Sequence, residues 1–162
     1  MNLIFQKMEE QYLSEVRDIY NFYVRNATAT FQIEELTLSQ MRELVFFNDP
    51  KYQAYVIMAD EVLCGYVIVT QFKKREAYDE TAELTIYLKQ EYTGRGIGSR
   101  AVSFIEKVAA ERNIHVLIAS ISGENTSSIY LFERQGYIKC GHLKEAGRKF
   151  GRRIDVVYYQ KI

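Results

Sequence analysis

Residues 82–88 read AELTIYL and residues 92–99 read YTGRGIGS. In the first run Ala82, Leu84, Ile86 and Leu88 alternate with Glu83, Thr85 and Tyr87, the two-residue period of a strand. Past the second run the apolar residues Ile97, Ala101, Val102, Ile105, Val108 and Ala109 fall on one helical face, with Arg100, Glu106, Lys107 and Arg112 opposite. The spacing therefore predicts a strand that turns through glycines into a long amphipathic helix. Glycines let a backbone close on a ligand, and the open amides and dipole of a helix N-terminus favour an anion. A bare G-x-G-x-G also serves as a tight structural connection, so the pattern alone leaves both readings open. Two other phosphate loops are excluded. No glycine is followed by Lys and then Ser or Thr, and no strand-helix-strand unit with a following acidic residue matches the dinucleotide fingerprint.

Working outward, Leu3 to Met8 reads as a short strand, and Leu13, Val16, Tyr20, Tyr23 and Val24 recur at helical spacing. Asn26 to Phe31 has no helical stripe and is predicted to be an extended loop before a second helix, from about Thr37 to Phe47, that stops short of Asn48-Asp49-Pro50. Tyr55 to Met58 and Val62 to Thr70 have the composition of a hairpin around a polar turn. His115 to Ser120 is an almost continuous apolar run, suited to a strand covered on both faces. Asn125 caps a further helix that ends at Gly136, where a left-handed residue is wanted. Tyr137 to Gly141 and Ile154 to Gln160 close the order as strands, joined by a glycine-rich basic turn over Gly147 to Arg153. The order βααβββαβαββ is an α+β domain over residues 1–162, with a mostly antiparallel sheet, one parallel pair in its middle and no internal boundary.

Bulk composition narrows the function. Of 162 residues, 48% are hydrophobic and 26% charged, enough for one full core. The 21 Lys and Arg are matched by 21 Asp and Glu, so no net field draws the chain to nucleic acid or to an anionic membrane. Cys64 and Cys140 have no C-x-x-C spacing and only His115 and His142 as co-ligands, so reduced thiols, no metal and a cytoplasmic location are expected. The N-terminus lacks the apolar region of a signal peptide, and no later run has the length of a membrane span.

The strand-turn-helix run from Glu83 to Gly98 resembles the acetyl-CoA motif of the GNAT superfamily of N-acetyltransferases, and Asn125 to Tyr137 (NTSSIYLFERQGY) is similar to that superfamily's next motif. Tyr78 to Glu83, His115 to Ser120 and Gly147 to Gly151 resemble the phosphinothricin and amino-acid N-acetyltransferase branch. The resemblance implies a three-layer α/β/α fold with a splayed central strand pair, acetyl-CoA as cosubstrate, a small amine as acceptor, direct transfer through a ternary complex, and a homodimer. It assigns the amides of Gly94, Arg95, Gly96, Ile97, Gly98 and Ser99 to the pyrophosphate of CoA, and the backbones of Ile86, Tyr87 and Leu88 to the pantetheine arm. Asn125, with Ser128 and Phe132 of the same helix, would approach the cofactor from the other side. Splayed strands suit this, because their unpaired donors and acceptors can take up an amide-rich arm. One position departs from the pattern: Thr93 stands where a Gln or Arg is usual, removing one long donor to the pyrophosphate.

Acetyl transfer needs a neutral amine, donors for the developing oxyanion and an exit for the thiolate. Side-chain ammonium groups titrate near about 10.4 and α-amines near about 8, so a base is required at neutral pH. Glu83 is the candidate, directly or through a water; the alternative is a carboxylate that only bonds backbone or pairs with an arginine. Phe132 occupies the position where relatives place a Tyr or His as acid, and phenylalanine donates no proton. Tyr130, two residues earlier, is expected to pack. A thiol pKa of about 8.5 makes the thiolate a fair leaving group without that acid. For the acceptor the branch implies Phe31, Arg75 and Tyr78, with Glu83, as the pocket region, Arg75 being placed to clamp a carboxylate; Lys73 and Lys74 read as a solvated turn. Arg148 and Arg152 suit a CoA 3′-phosphate, a dimer contact or solvent. Three functions follow: a small-amine N-acetyltransferase, a non-catalytic CoA-binding sensor, or an acetyltransferase for protein N-termini or lysines.

Overall fold

The alternation read in residues 82–88 runs through the whole sheet. The computed structural model describes residues Met1–Ile162 as β1 (Leu3–Lys7), α1 (Leu13–Asn26), α2 (Leu38–Val45), β2 (Gln53–Ala59), β3 (Val62–Gln71), β4 (Thr81–Leu88), α3 (Ile97–Glu111), β5 (Val116–Ser122), α4 (Thr126–Arg134), β6 (Ile138–Lys149) and β7 (Arg152–Lys161). This is the order predicted from the sequence. The strands form one sheet, β1-β2-β3-β4-β5-β7-β6, antiparallel everywhere except between β4 and β5.

Successive side chains of a strand point to opposite faces, so each strand serves two cores. Cys64, Val67 and Val69 of β3 with Ala82 and Leu84 of β4 meet Ile97, Ala101, Val102 and Ile105 of α3 and Phe132 of α4. Leu63, Tyr66 and Ile68 of β3 with Ala54 and Val56 of β2 meet Val16, Ile19 and Tyr23 of α1 and Met41 and Val45 of α2. Each large aliphatic side chain buried this way contributes about 1.5–3 kcal/mol against chain entropy. The result is three layers, α1 and α2 on one side of the sheet, α3 and α4 on the other.

Local chemistry sets most of the boundaries. Thr37 and Gln40 form a reciprocal capping box at the start of α2. Asn125 accepts from the Ser128 amide at the start of α4, and Gly136 ends that helix region at φ 88°. Helix α2 stops at Val45 rather than Phe47, because Phe46 turns extended and Phe47 packs on Tyr52. The closing hairpin departs most from expectation. β6 reaches Lys149 and β7 begins at Arg152, so the supposed basic turn is largely strand around Phe150-Gly151. β6 is an exposed edge strand with register irregularities between Lys139 and Gly141 and between Leu143 and Gly147, so it carries no apolar alternation to read. No helix is long and apolar enough to cross a membrane.

Candidate active site

The parallel pairing of β4 with β5 lasts only through Thr81–Val116, Ala82–Leu117 and Glu83–Ile118. Beyond it β4 stays on β3 as far as Leu88, and β5 stays on β7 as far as Ser122, so a gap opens between them. Strand β5 is buried through Leu117, Ile118 and Ala119, but Ser120 is exposed, marking where that face loses its cover.

At the wide end of the gap the chain enters α3. Gly94 and Gly96 hold φ of 73° and 78°, and a Cβ at either would meet nothing within 4 Å. Backbone conformation, not space, demands glycine there. Gly96 is the N-cap of α3, and the first amide bonded back into the helix is that of Arg100, to Gly96 O at 3.3 Å. The amides of Gly94, Arg95, Gly96, Ile97, Gly98 and Ser99 donate to no backbone acceptor. A run of unpaired N–H groups at a helix N-terminus is an anion cradle. Gly98 has a second duty, since a Cβ there would stand 3.0 Å from Leu131 Cδ2 and hold α4 away. The Thr93 hydroxyl donates to Gln90 O at 2.7 Å, closing its own turn. Arg95 lies over the Tyr92 ring.

Across the gap, Asn125 Oδ1 accepts from the Ser128 amide and from Ser127 Oγ, while Nδ2 has no protein acceptor. Ile86 and Leu88 turn toward α3, and Tyr87 toward α1. Phe132 is buried in the α3 core with its ring edge-on to Tyr137, centroids 5.0 Å apart. Tyr130 is exposed and accepts from Arg134, so it does not pack as expected.

Glu83 stands on the α1 face of β4, at the point where the strands part. Its carboxylate has no ion-pair or hydrogen-bond partner, and burial raises its pKa above the ordinary carboxylate value. The same face holds Thr85 and Tyr87 on β4, with Thr70 paired across from Glu83 on β3. Beside them is a cavity of about 260 Å³ lined mainly by Tyr20, Leu44, Phe47, Tyr66, Thr85 and Tyr87. Tyr20 Oη and Thr30 Oγ1 are 2.8 Å apart, Tyr87 Oη donates to Ala29 O at 3.1 Å, and Tyr23 Oη donates to Leu88 O. Burial pushes the Tyr20, Tyr23, Tyr66 and Tyr87 phenols up, so all four stay protonated at neutral pH.

None of the acceptor residues expected from the sequence, Phe31, Arg75, Tyr78 and Glu83, is among those that line this cavity. Phe31 lays its ring against Gly147, where a Cβ would clash with it. Arg75 caps the single 3₁₀ turn Glu76–Tyr78 between β3 and β4 and makes no side-chain hydrogen bond; Tyr78 sits edge-on to Phe72 with Lys73 over both rings. Arg152 is paired with Glu124. Sequence reasoning missed Tyr20, Leu44, Phe47, Thr70 and Thr85. The two-residue spacing of Glu83, Thr85 and Tyr87 could have found Thr85; Tyr20 and Leu44 come from helices, and Phe47 from just past one, whose docking no local pattern reveals.

The sequence of residues 6–158 matches the model of the acetyltransferase (GNAT) domain. The chain belongs to the GNAT acetyltransferases. A phosphinothricin N-acetyltransferase of Streptomyces coelicolor is 32% identical over 157 residues, covering 94% of this chain and 91% of that protein. An L-methionine sulfoximine/L-methionine sulfone acetyltransferase of Pseudomonas aeruginosa is 30% identical over 147 residues, 88% of this chain and 84% of the relative. The crystal structure of a GNAT phosphinothricin acetyltransferase from Sinorhizobium meliloti with acetyl-CoA superposes with a TM-score of 0.93 at 27% identity, covering 99% of this chain and 88% of the other. As a GNAT enzyme the protein is an N-acetyltransferase with acetyl-CoA as cosubstrate. The splayed β4–β5 pair and the open amides before α3 suit such a cosubstrate, offering unpaired backbone to an amide-rich arm and N–H donors to a diphosphate.

Proposed function

We propose that this GNAT enzyme acetylates the primary amine of a small, amino-acid-like molecule of the phosphinothricin, methionine sulfoximine or L-amino-acid type. The observation that carries the reading is the unpartnered Glu83 carboxylate, set where the β4–β5 gap opens and on the same face of β4 as Thr85 and Tyr87, which line a largely apolar cavity. A cavity of about 260 Å³ has room for one small side chain. The names of the relatives point to the same substrate class.

In this reading acetyl-CoA supplies an activated acetyl group as a thioester. The amides from Gly94 to Ser99 hold the diphosphate, and the backbone of Ile86, Tyr87 and Leu88 aligns the arm in the gap, with Asn125 Nδ2 opposite and Ser128 beside it. Phe132 contributes packing beneath α4 rather than a proton. Glu83 takes a proton from the acceptor ammonium, directly or through a water, so that the nitrogen lone pair can form the new C–N bond as the C–S bond breaks. The leaving thiolate needs no protein acid because a thiol titrates near about 8.5; the second proton, shed by the nitrogen as the amide forms, goes to that thiolate or to water. Arg75, whose side chain makes no hydrogen bond, is the cation that would meet an acceptor carboxylate, with Phe31 and Tyr78 as the aromatic residues of the acceptor region.

We further infer one domain over residues 1–162, a cytoplasmic location, no nucleic-acid or membrane partner, and a homodimer. Support for the homodimer comes from the branch resemblance and from Ile138 and Leu143, which expose apolar surface on the unpaired edge strand β6. A steady-state thiol-release assay over a panel of amino acids and their phosphinic and sulfoximine analogues tests the reading. Amine-dependent thiol release with at least one of them is expected. Tight acetyl-CoA binding with no release above hydrolysis for any amine would instead identify a CoA-binding sensor.

A further inference from the structure

Lys149, at the end of β6, is a buried lysine with no carboxylate partner. Its Nζ donates to Ala27 O at 2.6 Å, Thr30 O at 2.8 Å and Tyr23 O at 3.4 Å. Three ammonium hydrogens thus meet three carbonyls. A buried ammonium without a counter-charge is costly, and here burial lowers its pKa. What offsets that cost is the place. Tyr23 lies in the last turn and Ala27 is the C-cap of α1, where the helix dipole is negative; Ala27 O has no backbone donor, while Tyr23 O already accepts the Ala27 amide and makes the longest of the three contacts.

The segment so held is no ordinary loop. Its residues grip four elements between them. Thr28 Oγ1 lies 3.0 Å from Ser122 Oγ at the end of β5 and donates to Glu124 at 2.9 Å. Ala29 O receives the Tyr87 hydroxyl of β4, Thr30 Oγ1 meets the Tyr20 hydroxyl of α1, and Phe31 rests on Gly147 of β6. Residues 27–31 therefore span the parted ends of β4 and β5 on the Glu83 face, and they brace Tyr20 and Tyr87, two walls of the cavity. Replacing those hydroxyl contacts would cost little if the segment were free to follow. Lys149 stops it from following, by tying both Ala27 and Thr30 to the β6–β7 hairpin.

We infer that Lys149 is a positioning residue for acceptor recognition: it pins residues 27–31 and so sets the shape of the cavity through Tyr20 and Tyr87. This rests on the reading above that the cavity receives the acceptor. Lys149 touches neither cosubstrate nor acceptor in this role, so its loss acts on acceptor binding and leaves the amide cradle at α3 alone.

The test is to measure acceptor KM, kcat and acetyl-CoA affinity by calorimetry in Lys149→Met, Gly147→Ala and Leu44→Trp, with folding followed by circular dichroism. In Lys149→Met the acceptor KM should rise about tenfold or more, while acetyl-CoA affinity stays within about twofold. Gly147→Ala, which pushes Phe31 and its segment from the other side, should give the same split and decides the matter if Lys149→Met does not fold. Leu44→Trp fills the cavity and should raise acceptor KM by itself. An unchanged KM in Leu44→Trp overturns the cavity assignment and this inference with it. A raised KM there, beside a normal KM in folded Lys149→Met or in Gly147→Ala, overturns the inference alone, as does an equal loss of acetyl-CoA affinity.

Discussion

The two ends of the active-site face are built in opposite ways. The cradle before α3 is made of consecutive residues, Gly94 to Ser99, whose amides point outward because left-handed glycines and a helix start leave them no other course. The proposed acceptor face is made of residues from α1, α2, β3 and β4, held by a segment whose anchor, Lys149, lies 119 to 126 positions further along the chain. A local device tolerates change elsewhere in the molecule. An assembled one is only as well shaped as its long-range contacts, so small substitutions far from Glu83 should alter acceptor choice before they alter cofactor binding.

The sharpest break in that comparison is Glu83→Gln, which belongs to neither end but links them. Loss of a general base should lower kcat/KM about 10²–10³-fold near neutral pH. The base works ionised, so activity falls as pH drops through its pKa; burial raises that pKa, moving the acid limb above the range of an ordinary carboxylate. In Glu83→Gln this limb should vanish, with partial recovery at high pH as the amine deprotonates unaided. An unchanged pH–rate profile would remove Glu83 from the role.

A narrower test addresses the cradle alone. Gly96 sits at φ 78°, where a Cβ costs about 1–2 kcal/mol, so Gly96→Ala should distort the turn and weaken acetyl-CoA binding about tenfold while acceptor KM at saturating cosubstrate holds. Equal loss of both would show that the two ends are not independent. Smaller still is Asn125→Ala. It removes the α4 cap, worth about 1 kcal/mol, and should lower Tm by a few degrees, about 2–4 °C for a chain of this size. It also removes Nδ2 from the gap, so a fall in acetyl-CoA affinity beyond the stability change would place that amide on the cosubstrate. Tyr137→Phe is the least disruptive. The Tyr137 hydroxyl is buried and makes no well-formed hydrogen bond, although the Glu106 carboxylate lies near it, so its removal should leave unfolding free energy within about 1 kcal/mol of the parent or raise it. A larger loss in denaturant titration would mean the hydroxyl has a partner in solution.

Much of this was legible from residues near one another in the chain. The start of α3 at Ile97, the Asn125 cap, the left-handed Gly136 and the hairpin turn at Asp60-Glu61, both at positive φ, follow from short-range rules. Glu83 was singled out by the resemblance of its strand and glycine turn to the family motif rather than by periodicity, since Thr85 and Tyr87 occupy the same alternate positions. Strand β6 was read too short because an exposed edge need not alternate, and its irregular register breaks whatever period remains. Tyr20, Leu44, Phe47 and Thr70 gave no signal, since a core residue and a cavity wall look alike until the helices dock.

By itself the amino-acid sequence determined the element order, the glycine turn and the family motif, because helix starts, caps and strand periods are properties of neighbouring residues. Only the tertiary structure decided where β4 and β5 part, which tyrosines line the cavity beside them, and that a lysine near the C-terminus fastens the end of the first helix. Those depend on contacts between segments far apart in sequence, whose geometry is set when both faces of the sheet are covered at once.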